Sequence, residues 1–289
     1  MNSMQFAVIG DRGLLGSEMT LLLKNQGEQV RGFNRSNLQL ESSPQELAAI
    51  ISGADVLVNC VAYTNVDRAE KDWGLANLVN GEYAGKLAET AAFLGAKMIQ
   101  ISTDYVFAGS SGLPAKTSDP IKPINAYGRS KALGEERVMD SGAKFQIFRT
   151  AWLYGSKGAC FPRSIAEKLL SSGAVRVVDD QFGQPTWTRD LCKVIYDHSL
   201  HDYSEPVVHA VASGSTDWFN FAKAVADALP ESTRYEVSAI SSSELRQSAT
   251  RPAFSVLENS QTRGLVIGGW LERWKTASSE IVESVNQIV

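Results

Sequence analysis

The chain alternates short runs of consecutive apolar residues with longer stretches in which apolar positions recur every three to four residues. Phe6-Ala7-Val8-Ile9 is the first run, and helical spacing follows from Leu14 to Lys24. Gln29 to Phe33 reads as a second strand, Val56-Leu57-Val58 as a third, Met98 to Ser102 as a fourth and Phe145 to Phe148 as a fifth. Between them the spacing predicts helices over Pro44 to Ser52, about Leu75 to Leu94, and Asn125 to Met139. Ser43 and Pro44 supply an N-cap and a first-turn proline for the first of these, and Gly95 stops the second. Unbroken apolar runs suit strands covered on both faces. A short apolar run can also be a buried helical segment, but regular alternation with helices favours βαβ units and a parallel sheet.

After about Thr150 the pattern loosens. Val175 to Val178 and Val207 to Val211 predict two further strands, with a helix over about Arg189 to His201 between them. Helices are also predicted over Trp218 to Leu229 and Leu271 to Ile288. The fold class this implies is α/β: a doubly wound, mostly parallel sheet with a smaller C-terminal α/β lobe that shapes a ligand site. Residues 1–150 form the first unit and 151–289 the lobe, interleaved because the last strands of the sheet are expected to return at about 175–211. The loop from Asp104 to Ile124 carries Pro114, Pro120, Pro123, Gly109 and Gly112, and loops this long inside a domain are usually functional.

Composition narrows the field mainly by exclusion. With 289 residues, 44% hydrophobic and 21% charged, the chain is long enough for a sizeable core and too ordinary to be disordered or fibrous. A net charge of −4 gives no global field for nucleic acid or an anionic membrane, though a local pocket for a small anion stays open. The three cysteines, Cys60, Cys160 and Cys192, fit neither a disulfide set nor a zinc knuckle and read as buried small hydrophobes. No apolar run approaches the roughly 20 residues of a membrane span. Met1-Asn2-Ser3-Met4-Gln5 lacks the cationic start of a signal peptide, so a cytoplasmic protein is expected. The histidines His198, His201 and His209 form no metal-ligand pattern; His198 and His201 are expected at the surface and no metal is expected.

Candidate chemistry begins at Gly10-Asp11-Arg12-Gly13-Leu14-Leu15-Gly16, glycines between the first strand and the first helix. A helix N-terminus favours phosphate, and glycines let the backbone approach a pyrophosphate, which is the Rossmann dinucleotide arrangement. NAD sites place an acid at the end of the second strand. Here that end reads Gly32-Phe33-Asn34-Arg35, and Arg35 with Arg12 favours a 2′-phosphate, hence NADPH with NADH the alternative. Two solvated surface arginines are the bland reading of the same residues.

Tyr127 and Lys131 stand four apart on a predicted helix and so share a face. An ammonium there is expected to lower the tyrosine pKa and suit it to general-acid work on a carbonyl. At the end of the fourth strand Thr103 is the candidate hydroxyl for that carbonyl, with Ser102 the alternative. Without the Tyr–Lys pair, a strand-end cap would be the favoured reading of Thr103.

These features together resemble the extended short-chain dehydrogenase/reductases, and more narrowly the dTDP-4-dehydrorhamnose reductases. The resemblance is carried by residues 59–67, by Ser102-Thr103-Asp104-Tyr105-Val106-Phe107, by Asn125 to Lys131, by Phe148 to Tyr154, by Asp180-Gln181-Phe182-Gly183-Gln184-Pro185-Thr186 and by Arg251-Pro252. It implies Thr103, Tyr127 and Lys131 as the catalytic trio. It implies a cofactor site of Gly10, Arg12, Gly13, Leu14, Leu15, Gly16, Arg35, Cys60, Ala62, Tyr63 and Thr64 with Tyr127 and Lys131. Thr64, Val66, Asp104, Tyr105, Trp152 and Arg251 are implied to meet the substrate, Trp152 over the sugar and Arg251 at the nucleotide diphosphate. Gln39 stands where the family usually has Asp, and residues 202–247 match little of the pattern. The expected activity is NADPH-dependent reduction of dTDP-4-dehydro-L-rhamnose to dTDP-L-rhamnose by a monomer or homodimer. A nucleotide-sugar epimerase and a non-enzymatic NADP-binding regulatory subunit are the other readings. The absence of a carboxylate pair after Thr103 speaks against a dehydratase.

Overall fold

The computed structural model describes residues 3–259 and 265–286. The first half runs β1 (Gln5–Ile9), α1 (Leu14–Asn25), β2 (Gln29–Phe33), α2 (Pro44–Ile51), β3 (Val56–Asn59), α3 (Val66–Ala69), α4 (Trp73–Asn77), α5 (Tyr83–Leu94), β4 (Lys97–Thr103), α6 (Ala126–Met139) and β5 (Lys144–Thr150). The second half runs β6 (Leu153–Tyr154), α7 (Phe161–Ser172), β7 (Ala174–Val178), β8 (Phe182–Gly183), β9 (Thr186–Trp187), α8 (Thr188–Leu200), β10 (Val207–His209), β11 (Thr216–Asp217), α9 (Trp218–Asp227), β12 (Glu236–Ile240) and α10 (Trp270–Asn286).

Six strands form one sheet in the order β10-β5-β4-β3-β1-β2, and every neighbouring pair is parallel. All four residues of β3 are buried, as a strand covered on both faces requires. One layer packs α1 and α8 on the sheet through Met19, Leu23, Leu191 and Ile195 against Val8, Val58 and Ile99. The opposite layer packs α2 and α5 through Leu47, Ile51, Leu87 and Ala91 against Ala7, Leu57 and Met98. This is a doubly wound α/β fold. A third cluster, built on Tyr154, Phe221 and Trp274, joins α7, α9 and α10 into a C-terminal lobe.

Local signals set the element ends. Ser43 and Glu46 form a reciprocal capping box at α2, with Pro44 in its first turn. Gly95 takes the left-handed conformation that ends α5. Asn125 caps α6 by accepting from the Gly128 N–H at 2.7 Å. The helix expected over Leu75 to Leu94 is α4 and α5 joined by a π turn at Leu78–Glu82.

Several expectations are corrected, and one helix was not expected at all. Val175 to Val178 does not return to the main sheet: β7 pairs in parallel with β12, as a separate two-stranded sheet within the lobe. Its burial is partial along its first three residues, whereas Val207–His209 is flanked by β5 and joins the sheet. The helix α7 went unread because its apolar face is split by Pro162 and polar residues, yet Pro162 fits a first turn. His198 is buried, not at the surface, while His201 is exposed. The last helix starts one residue earlier than expected, and residues 287–288 of that expectation lie outside the described residues, as do Met1 and Asn2. All three cysteines are free; Cys160 and Cys192 are buried and Cys60 half-buried.

His198 packs edge-on to Phe148 at 5.2 Å and against Tyr203 at 4.4 Å, and neither ring nitrogen has a hydrogen-bond partner among the described residues. Burial pushes its pKa from 6.5 down to about 4, and Lys97 and His201 oppose Asp197 and Glu205 around it. Between those values the unfolded chain binds a proton that the folded chain refuses. Stability is therefore fully present above about pH 6.5 and is lost as pH falls toward 4. Thermal unfolding of wild type and His198→Phe between pH 7 and 4.5 should show a smaller acid-side fall in Tm for the variant; parallel curves would remove this account.

Candidate active site

The carboxyl ends of the parallel strands open onto a cleft, at the point where chain order reverses between β1 and β3. Ligands of such sheets bind there. The glycine turn forms its floor. Gly10 has φ +87°, and a Cβ on Gly16 would stand 2.1 Å from the Gly10 carbonyl oxygen, so the helix can begin this close to the strand only with glycine at both places. Gly13 is the N-cap of α1 and carries no side-chain cap, which leaves first-turn N–H groups directed at the cleft. Those open donors and the bare glycine backbone fit a pyrophosphate, so the residues present suit a dinucleotide.

A cavity of about 540 Å³ lies over this floor. It gathers Arg12, Gly13, Leu14, Leu15, Cys60, Ala62, Thr64, Thr103, Asp104, Tyr127, Lys131 and Trp152, which sequence reasoning assigned to one site from five separate stretches of chain. Gly10 and Gly16 lie beneath it. Tyr63 turns away: its hydroxyl donates to Asp72 at 3.1 Å, and its backbone is bracketed by the Asn80 side chain. Arg35 is exposed beyond the cavity wall at the end of β2, and Val66 lies on α3.

At the centre, Thr103 ends β4, and Tyr127 and Lys131 reach down from α6. The Thr103 hydroxyl donates to Asp104 Oδ1 at 2.9 Å and accepts from the Tyr105 N–H at 3.2 Å. Tyr127 lines the same cavity. Burial pushes the Tyr127 pKa up to about 12, and the Asp104 charge adds to the rise while the Thr103 hydroxyl works against it. The expected lowering by Lys131 is thus not what this geometry gives. The Lys131 ammonium gives one of its three N–H bonds to the Ile101 carbonyl at 2.5 Å, and burial pulls its own pKa down to about 8 while Glu135 and Cys60 hold it up. Asp104 is buried with Oδ2 lacking a hydrogen-bond partner, and burial raises its pKa to about 6 while the nearby Ser255 and Thr103 hydroxyls work against the rise.

Behind the trio lies a buried ion pair that sequence reasoning missed. Arg149 of β5 and Glu135 of α6 are 2% and 1% exposed. Arg149 Nη2 and Nε donate to Glu135 at 2.7 and 2.9 Å, and Ser102 Oγ donates to the same carboxylate. Arg149 also donates to the Thr117 carbonyl at 3.3 Å and lies over the Phe107 ring at 5.0 Å, anchoring the long loop. Asn80, in the π turn, is the second missed residue: it holds the Tyr63 backbone and donates to Ser130 Oγ of α6 at 2.8 Å. The available signals were polar residues on apolar faces, Glu135 one helical turn beyond Lys131 and Asn80 between Leu78 and Tyr83.

Trp152 is in the left-handed region at φ 46°, one of two non-glycine residues with positive φ among those described. Its ring stacks on Trp218 at 3.4 Å and 7°, and a Cβ on Gly183 would stand 2.3 Å from it. Trp152 lines the first cavity, and Trp218 lines a second of about 240 Å³ that also takes in Tyr105, Gln181 and Arg251. Arg251 is not an open cation: its guanidinium is bound to both Asp67 carboxylate oxygens and to the Ala249 carbonyl. Among the described residues no three His, Cys, Asp or Glu side chains come together as a metal site.

The all-parallel doubly wound sheet, with an uncapped helix N-terminus at its switch point, defines a dinucleotide-binding protein of the Rossmann class. Comparison places it within that class. A family profile described as RmlD substrate binding domain matches residues 4–287, and the chain belongs to that family. A dTDP-4-dehydrorhamnose reductase from Burkholderia thailandensis is 35% identical over 286 residues, 92% of this chain and 95% of that protein. A probable dTDP-4,6-dihydroxy-2-methyloxan-3-one 4-ketoreductase from Streptomyces antibioticus is 36% identical over 96% of this chain and 94% of its own length. The crystal structure of dTDP-4-dehydrorhamnose reductase from Bacillus anthracis in complex with NADP superposes with a TM-score of 0.89 at 29% identity, covering 96% of this chain and 99% of that one.

Removing one partner of a buried pair leaves an uncompensated charge, at a cost of about 3–5 kcal/mol. Glu135→Gln should lower stability by that order in denaturant unfolding. The double change Glu135→Met with Arg149→Met should recover the greater part, and a double variant no more stable than the single one would remove the pair's place in this account.

Proposed function

We propose that this protein is an NADPH-dependent reductase of a dTDP-4-keto-6-deoxy sugar, converting dTDP-4-dehydro-L-rhamnose to dTDP-L-rhamnose. The convergence of Thr103, Tyr127 and Lys131 in one cavity with the α1 N-terminus carries the reading, and family membership supports it. The α1 N-terminus and Arg12 bind the dinucleotide pyrophosphate, and Arg35 takes the 2′-phosphate. When bound, the reduced nicotinamide supplies the hydride. Tyr127 is the proton donor to the C4 oxygen. A phenol with pKa about 12 keeps its proton through the neutral range. It is still a far stronger acid than the alcohol formed, so transfer runs downhill once charge reaches the oxygen. Lys131 sets a positive charge beneath the phenol and the ribose. Thr103 orients the carbonyl by turning its hydroxyl from Asp104 to the substrate. Asp104, which lines the cavity and has its Oδ2 unpartnered, accepts from a sugar hydroxyl. Trp152 forms the platform for the sugar ring, and the second cavity, with Tyr105 and Arg251, receives the nucleotide. No helix among the described residues is long and apolar enough to cross a membrane. The protein works in the cytoplasm as a monomer or homodimer.

A coupled assay with purified protein, the dTDP-4-keto-6-deoxy sugar and NADPH tests this directly. Wild type should oxidise one NADPH per sugar reduced, which an epimerase or a binding subunit does not do. Tyr127→Phe should lower kcat by about 10²–10⁴-fold; near-wild-type turnover would remove Tyr127 as the acid. In wild type, kcat/KM should fall as pH rises through about 8, where Lys131 loses its proton. A profile flat to pH 10 would remove the charged lysine from the mechanism.

A further inference from the structure

The second strand ends without an acid, and a carboxylate from another segment occupies that place. Asp11, in the glycine turn, lies back across the end of β2. Its Oδ2 stands 2.3 Å from where a Cβ on Gly32 would be, so any side chain at 32 would evict it. Its Oδ1 accepts from Asn34 Nδ2 at 2.9 Å. Asn34 is itself held, because its Oδ1 accepts from the Ser36 N–H at 3.0 Å and the Ser36 hydroxyl at 2.6 Å. That fixes which end of the amide faces Asp11. Gly10 N and Asp11 N both donate to the Phe33 carbonyl, at 2.6 and 3.3 Å, and tie the turn to the same strand end. Asp11 is thus a fixed acceptor with one oxygen committed and the other lying against bare backbone. In sheets of this kind the adenosine ribose lies at the end of the second strand.

We propose that Asp11 reads the 2′ position of the adenosine ribose. Its carboxylate accepts a hydrogen bond from a free 2′-hydroxyl and repels a 2′-phosphate. It opposes the exposed cations Arg12 and Arg35, neither of which has a side-chain hydrogen bond or ion pair among the described residues. This one group tempers the preference for NADPH that the two cations set, and NADH stays a working donor. The inference rests on the dinucleotide reading above and adds the residue that sets the preference.

The test is a fluorescence titration of the purified protein with NADPH and with NADH, without sugar. Asp11→Asn keeps the shape and the bond from Asn34; Asp11→Ala removes the acceptor altogether; Gly32→Ala displaces the carboxylate while leaving it in the chain. Each should raise the ratio of NADPH to NADH affinity about tenfold, the scale of one charge-assisted hydrogen bond. An unchanged ratio in Asp11→Asn and Asp11→Ala, or a shift toward NADH, would overturn the proposal. Wild type that binds neither dinucleotide would overturn it together with the reductase reading. A shifted ratio in a protein that reduces no sugar would leave Asp11 in its role and remove only the reductase reading.

Discussion

Where α6 sits on the sheet decides what the cleft can do, and the buried pair between Glu135 and Arg149 decides where α6 sits. Two charges at 1–2% exposure are tolerable only when their polar atoms are satisfied. Glu135 receives Arg149 and Ser102, while Arg149 also reaches the Thr117 carbonyl and the Phe107 ring. Sliding α6 by one residue would turn Glu135 away from β5 and strand both charges. One register is therefore far below its neighbours in energy. Tyr127, Lys131 and Glu135 follow one another at four-residue intervals on the same face, so fixing the last fixes the first two. The same pair clamps the start of the long loop, through Phe107 and Thr117, beside Thr103.

Burial acts on the three groups of the centre in different directions. It raises Tyr127, raises Asp104 and lowers Lys131, in each case favouring the neutral form. Glu135 works against this at Lys131, where its charge favours the ammonium. The buried pair thus has an electrostatic consequence as well as a mechanical one. A phenol that keeps its proton, beside an ammonium that stays charged below about pH 8, suits donation to an oxygen that becomes basic only as hydride arrives. An already ionised tyrosine could not donate.

Much of the frame was legible because it rests on local rules. Short apolar runs, the glycine turn, Gly95 and the Ser43 cap each act within a few residues, and they led to the parallel sheet and the cleft. The cavity residues were legible through spacing and resemblance. The relations that were not legible depend on contacts across long stretches of chain. Val175 to Val178 has the composition of a sheet strand, but its partner Glu236–Ile240 is some sixty residues on. Arg251 reads as a free cation until the fold brings Asp67 to it from 184 residues away. Lys131 reads as a neighbour of Tyr127 that must lower its pKa, until the fold buries the phenol and burial prevails. His198 reads as surface because nothing local says that Phe148 and Tyr203 close over it.

Trp152 shows how these constraints combine. Thr150 is the last rung of β5, paired with Thr103, and Leu153 is already paired with Thr186 of the lobe. Only Ala151 and Trp152 are left to carry the chain from sheet to lobe. The crossing is short enough that one of them takes a left-handed backbone, at about 1–2 kcal/mol for a residue with a Cβ. That residue carries a large ring, and the ring has a berth because Gly183 leaves room beneath it and Trp218 stacks on it. The strain is thus met by contacts formed on folding. The wall between the two cavities is set before any ligand arrives, and a ligand spanning both need not supply the cost of ordering it.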